Sequence, residues 1–160
     1  MLLTGSGINE MQFIVQIMLA AVLGGMIGFE REWRGKSSGL RTFAFVAMGS
    51  TLFTILSVKG FSDVGPSRVA SNVLTGVGFL GAGVIFLQEN RVKGITTAAG
   101  LWVVAAVGMA VGCGFYLTAI FTTLISMIVF EILSRVDYWI HAKIRKNNLS
   151  SPDSSADQSN

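Results

Sequence analysis

Six ionisable side chains crowd into twelve residues: Glu30, Arg31, Glu32, Arg34, Lys36 and Arg41. The windows beside them, 11–29 and 42–58, carry no charge. Glu30 and Arg41 close these two windows, so if the windows are antiparallel helices the two charges reach the same depth. There they can form a structural clasp or build a functional site, and the sequence leaves both open. Removing one member of a buried ion pair leaves the other uncompensated, at a cost of ~3–5 kcal/mol and less where water reaches the pair. Glu131 stands four residues before Arg135, the favourable order for an ion pair along a helix.

Polar side chains inside the apolar runs fall in stripes. Ser50, Thr54 and Ser57 follow helical spacing, Asn72, Thr75 and Gly76 share a face, and Thr118, Thr122 and Ser126 recur every fourth residue. Such faces meet another helix or water in preference to acyl chains. Interhelical hydrogen bonding is the expected use and a solute path the alternative. Asn72 is the costliest of these groups to leave unpaired.

No carboxylates are paired within an apolar run, no histidine stands near a nucleophile, and no residues have metal-ligand spacing. A non-enzymatic protein without a cofactor is therefore expected. The single cysteine, Cys113, lies beside two glycines and reads as an inert small residue, which excludes an internal disulfide and a Cys/His zinc site. His141 reads as a solvated interfacial side chain. Two nucleotide-binding patterns are refused. Gly76-Val77-Gly78-Phe79-Leu80-Gly81 matches a dinucleotide fingerprint, but it follows no strand and would place a pyrophosphate in lipid. Gly35-Lys36-Ser37 ends like a P-loop, yet Glu30 stands where that loop needs glycine.

The elements that must position these groups follow from composition. Of 160 residues, 51% are hydrophobic and 13% charged, against ~25% charged in ordinary soluble domains. The class is an all-α, polytopic membrane protein. Charge-free windows run over 11–29, 42–58, 69–88 and 94–130. About 20 apolar residues cross a bilayer core, so the last window, of 37 residues, must turn back, and Gly112-Cys113-Gly114 is the place. A bundle of about five spans is expected, at 11–29, 42–58, 70–88, 95–112 and 115–134. A short extracytoplasmic segment, 1–10, precedes them. A basic interfacial helix, 136–146, and a disordered tail, 147–160, follow. No basic residue precedes the first run, so it reads as a span and not as a cleaved signal peptide.

Five spans with the N-terminus outside place ten of the twelve Lys and Arg residues on the cytoplasmic side and only Lys59 and Arg68 outside. Here the basic balance sets orientation and does not imply nucleic acid. Trp33, Tyr138 and Trp139 fall where interfacial aromatics are expected. Glycines recur at helical spacing: Gly24 and Gly28 in the first span, and Gly76, Gly78, Gly81 and Gly83 in the third. They read as helix-packing surfaces, with a broken helix lining a polar cavity as the alternative.

The stretches Gly28-Phe29-Glu30-Arg31, Gly39-Leu40-Arg41-Thr42, Gly76 to Ile85 and Val92 to Trp102 closely resemble the MgtC/SapB family of bacterial membrane proteins, in order and spacing, over about 15–135. The resemblance implies an inner-membrane protein linked to growth at low magnesium and to virulence. It further implies a regulator of another membrane protein, such as the F-type ATP synthase or a phosphate uptake system. By matching motifs it marks Glu30, Arg31, Arg41, Thr42, Asn72, Thr96, Thr97 and Trp102 as functional candidates. The expected partners are membrane lipid, another integral membrane protein and a second copy of the chain. The alternative function is an ion or small-solute transporter or channel subunit. The longer members carry a cytoplasmic domain that has no counterpart in residues 147–160, which puts in doubt any contact made through it.

Overall fold

The structure, a computed structural model, describes residues 7–60, 67–88 and 91–149, with 7–9, 67, 69 and 136–149 as backbone only. Helix α1 covers Gly7–Trp33, α2 covers Leu40–Ile55 and runs on into a π-helical turn, Leu56–Gly60, and α3 covers Ser67–Gly83. Two short strands follow, β1 at Phe86–Gln88 and β2 at Arg91–Lys93, then α4 at Ile95–Gly112 and α5 at Tyr116–Leu149. The all-α polytopic reading holds. Four stretches, Glu10–Trp33, Leu40–Gly60, Ile95–Gly112 and Tyr116–Arg135, are long and apolar enough to cross a membrane.

The long apolar window turns where expected, at Cys113 to Phe115, with Gly114 at a φ of 85° that glycine tolerates. Other boundaries differ from the charge-free windows, because charge marks the edge of lipid and not the end of a helix. Thus α1 continues through Glu30, Arg31 and Glu32 to Trp33. The span expected at 70–88 is a helix only to Gly83. Its last turn tightens through bonds from the Val84 N–H to the Gly81 carbonyl and from the Ile85 N–H to the Ala82 carbonyl, 3.3 and 3.2 Å. The chain then forms an antiparallel hairpin that pairs Leu87 with Val92. Apolar Phe86 and Leu87 had prolonged the charge-free run without prolonging the helix.

The chain divides into two compact units, residues 1–127 and 128–160. In the first, close glycine contacts fix how the helices run. A Cβ added at Gly24 would lie 2.7 Å from Ala47 Cβ and from the Phe43 carbonyl oxygen, and one at Gly28 would lie 2.8 Å from Leu40 Cα and Phe43 Cβ. Later residues of α1 therefore meet earlier residues of α2, and the two are antiparallel. On α4, Gly108 sits against the Ala47 carbonyl and Gly112 against Thr51 and Thr54, so α4 is parallel to α2. Helix α3 reverses into α4 through the hairpin, with Gly81 facing Ala98 at 3.5 Å. Along the chain α1 to α4 alternate in direction, and α3, expected as the third span, is not among the four stretches long and apolar enough to cross a membrane. Leu101, Val104, Ala105, Val107 and Val111 make α4 the buried centre.

Two polar contacts tie α1 to α4 at opposite ends. At one end Arg31 Nη2 donates to Thr97 Oγ1 at 3.2 Å. At the other, Gln16 Nε2 donates to the Val111 carbonyl at 3.1 Å and to the Tyr116 hydroxyl at 2.9 Å. Between these layers the buried Thr51 hydroxyl lies 2.9 Å from its own helix's Ala47 carbonyl and 2.7 Å from the Gly108 carbonyl of α4.

In the second unit, helix α5 carries the expected ion pair: Arg135 Nε and Nη2 each reach Glu131 Oε1 at 2.7 Å. The tail expected to begin at residue 147 is helical through Leu149, and 150–160 lie outside the described residues. So do the expectations for the side chains of Tyr138, Trp139 and His141, and for the first six residues.

Candidate functional site

The charged end of α1 is built one residue at a time. Arg31 faces the bundle and is 2% exposed, and Thr97, which accepts its hydrogen bond from the first turn of α4, is 3% exposed. A charge-assisted bond of this kind is worth ~1.5–3 kcal/mol when both groups are buried. One residue back, Glu30 forms an ion pair with Arg34, a turn further along the same helix. One residue on, Glu32 Oε2 accepts the N–H of Leu40, the first residue of α2, at 2.8 Å. A carboxylate there is doubly placed, because it satisfies a donor that the helix leaves open and sits at the positive end of the helix dipole. Gly39 makes room for it, since a Cβ at Gly39 would lie 2.6 Å from Glu32 Oε2.

Three consecutive side chains therefore do three different things: Glu30 pairs within α1, Arg31 ties α1 to α4, and Glu32 ties α1 to α2. Glu30 and Arg41, expected to form a structural clasp or build a functional site, are not paired with each other among the described residues. Arg41 and Thr42 are exposed on the first turn of α2. Helix periodicity explains the Glu30 pairing, because Arg34 lies four residues from Glu30 on the same face of α1.

The remaining candidates are dispersed. Thr96 is exposed beside Thr97, Trp102 is 48% exposed on α4, and Asn72 is exposed on α3. Among the described residues no hydrogen bond or ion pair joins Arg41, Thr42, Asn72, Thr96 or Trp102 to the Arg31 cluster. Of the packing glycines, Gly24, Gly28 and Gly81 pack as expected, while a Cβ at Gly76, Gly78 or Gly83 meets nothing within 4 Å. Those three leave open surface on α3. Beside it, a cavity of about 470 Å³ lies between α2 and α3, apolar except for Ser50 and Asn72.

Sequence reasoning passed over Gln16, Thr51, Gly94 and Gly108, and counted Glu32 in the charged cluster without giving it a partner. Gln16 had a signal, being an amide within a charge-free window. Gly94 takes a φ of 94°, and a Cβ there would overlap the Val84 carbonyl, so only glycine closes the hairpin onto α4. Among the described residues no three of His, Cys, Asp and Glu come together as metal ligands would.

Three comparisons bear on this arrangement. A profile described as the MgtC family matches residues 17–139. YhiD of Escherichia coli (strain K12), whose name designates a candidate magnesium transporter, is 44% identical over 135 residues, covering 79% of this chain and 63% of its own length. Proteins named MgtC from Brucella abortus (strain 2308) and Salmonella typhimurium (strain 14028s) are 48% identical over 95 residues and 43% over 113. They cover 59% and 71% of this chain, which spans 40% and 48% of their lengths. No solved structure matches.

Proposed function

Because this multi-pass bacterial membrane protein belongs to the MgtC family, we propose that it serves adaptation to low magnesium as a non-enzymatic regulator of another membrane protein. The inner membrane is the proposed location, and the F-type ATP synthase or a phosphate uptake system is the proposed class of target. In a pathogen the same role would contribute to virulence.

The observation that carries this reading is the division of labour among polar groups. Buried hydroxyls lie against helix carbonyls: Thr51 against Ala47 and Gly108, Thr54 against Ser50, and Thr123 against Ala119. Other polar groups are exposed, among them Asn72 and Thr75 beside the bare backbone at Gly76. Inside the bundle, then, polarity supports the helices, while outside it can recognise a protein.

A second reading is favoured by the name of the Escherichia coli relative and by the cavity that Ser50 and Asn72 line. In it the chain contributes to a magnesium path between copies. Purified protein in liposomes containing a magnesium-sensitive dye separates the two. No flux is expected, and flux without any other protein would overturn the regulatory reading. In cells, stably inserted Glu30→Ala and Arg41→Ala variants should alter ATP levels and growth in low magnesium. Wild-type behaviour of both would remove the charged end of α1 from the functional account.

A further inference from the structure

The two-stranded ribbon that joins α3 to α4 is open on both sides. Every residue of β1 and β2 is exposed, and alternation divides them between two faces. The register pairs Leu87 with Val92, so these two share one face, and they are 69% and 56% exposed. Phe86, Gln88, Arg91 and Lys93 share the other, where Lys93 Nζ donates to Gln88 Oε1 at 2.7 Å. That partner is neutral, and among the described residues neither Arg91 nor Lys93 pairs with a carboxylate. The segment 85–95 holds these two cations against one acid, Glu89, and residues 89–90 lie outside the described residues.

A lone two-stranded hairpin is at best marginal in water, so its apolar face needs a cover. The depth of the ribbon identifies that cover. Helix α4 begins at Ile95, directly after Gly94, and its 18 residues measure ~27 Å, barely the ~30 Å of hydrocarbon that a span has to cross. Ile95 therefore stands at the edge of the hydrocarbon. Val92 is three residues away, at most ~10 Å, and Leu87 is paired with it, so the ribbon starts inside the headgroup layer.

We propose that this ribbon lies flat in the headgroup layer at the Arg31 end of the bundle, with Leu87 and Val92 in the acyl boundary and Arg91 and Lys93 on the phosphates of anionic phospholipid. Its two faces match the two sides of that layer, one apolar and one cationic. Arginine and lysine carry their charge on long apolar stems, which reach a phosphate from beside the hydrocarbon. At the same end of the bundle Trp33, 82% exposed, supplies the aromatic side chain usual at this depth. A soluble protein fits less well, because it would have to displace acyl chains from Leu87 and Val92. The proposal does not depend on the regulatory reading, because it concerns the chain and its bilayer alone.

Fluorescence quenching of the whole protein in nanodiscs tests it. In a Cys113→Ser background, Leu87→Cys, Val92→Cys and Gln88→Cys each carry a bimane label, and Ile125→Cys on α5 serves as an apolar, exposed control. The nanodiscs hold phosphatidylcholine and phosphatidylglycerol, with bromine on the acyl chains of one or the other. Bromolipid should quench the labels at 87 and 92 at least threefold more than the label at 88, which stands on the cationic face. A cation beside an anionic lipid surface favours it about fivefold. With the label at 87, brominated phosphatidylglycerol should therefore quench several-fold more than brominated phosphatidylcholine at equal mole fraction. Arg91→Gln together with Lys93→Gln should bring that ratio to the value found at 125. Both cations are exposed, so this variant should keep the unfolding midpoint of the parent. Equal quenching at 87 and 88 would overturn the proposal, as would labels at 87 and 92 that bromolipid does not reach, whether water or another protein covers them. A ratio at 87 that equals the ratio at 125 in the parent, or that survives the loss of both cations, would overturn it too.

Discussion

Gly24→Ala and Gly78→Ala form a matched pair. From the sequence both glycines read as packing surfaces, and both stand inside helices, so replacement by alanine brings each the same helix-propensity gain of ~1 kcal/mol. The structure separates them. At Gly24 the new methyl would lie 2.7 Å from Ala47 Cβ and the Phe43 carbonyl oxygen, whereas carbon atoms in contact sit ~3.5–4.0 Å apart. Helices α1 and α2 must part by ~1 Å, and overpacking of that order costs ~1–3 kcal/mol. At Gly78 the methyl meets nothing within 4 Å. With the propensity gain common to both, Gly24→Ala should be less stable than Gly78→Ala by ~1–3 kcal/mol, and Gly78→Ala should be at least as stable as the parent. Reversible unfolding in mixed micelles, followed by tryptophan fluorescence and extrapolated for each variant, measures the difference. Equal stability of the two, or a more stable Gly24→Ala, would mean that α1 and α2 do not meet through Gly24.

Thr97→Val keeps the shape of the side chain and removes the acceptor for Arg31, and should cost ~1.5–3 kcal/mol in the same unfolding assay. Glu32→Ala removes the acceptor for the Leu40 N–H and should cost about 1 kcal/mol, with earlier amide exchange in the first turn of α2 as its local signature. Gly94→Ala places a Cβ against the Val84 carbonyl at a positive φ, so its accumulation in membranes should fall well below that of Gly78→Ala, measured by quantitative immunoblotting of the membrane fraction. Gln16→Leu breaks two hydrogen bonds at the other end of the bundle. It should cost ~1–2 kcal/mol without altering amide exchange near Leu40.

The helices, the turn at Cys113 and the pairing of Glu131 with Arg135 could all be read from the sequence, because each depends on residues near one another along the chain. Hydrocarbon imposes long charge-free runs, and a helix imposes a four-residue spacing. The hairpin at 86–93 escaped that reading because Phe86 and Leu87 are as apolar as a helix interior, and only pairing across the turn distinguishes them. The candidate site was legible as a place more than as a set of contacts. The crowding of charge around Glu30 marked the correct end of α1, but the partners depend on which way each residue faces. Thus Arg31 is buried against Thr97, 66 positions away, while Arg41 is exposed. Glycines carry the same ambiguity, since one residue type at one spacing serves both to bury a helix face, as at Gly24, and to leave one bare, as at Gly76.

The two polar ties between α1 and α4 stand 15 residues apart on α1, from Gln16 to Arg31, and 14 apart on α4, from Thr97 to Val111, or ~21–23 Å along either axis. A piston stroke of one turn, ~5.4 Å, would tear both loose together. These two helices thus keep a fixed vertical setting, like a rod bolted at its two ends. Any signal that crosses the bilayer through this chain has to travel by tilting, by rearranging the segment between α2 and α4, or by meeting a neighbour, and not by sliding.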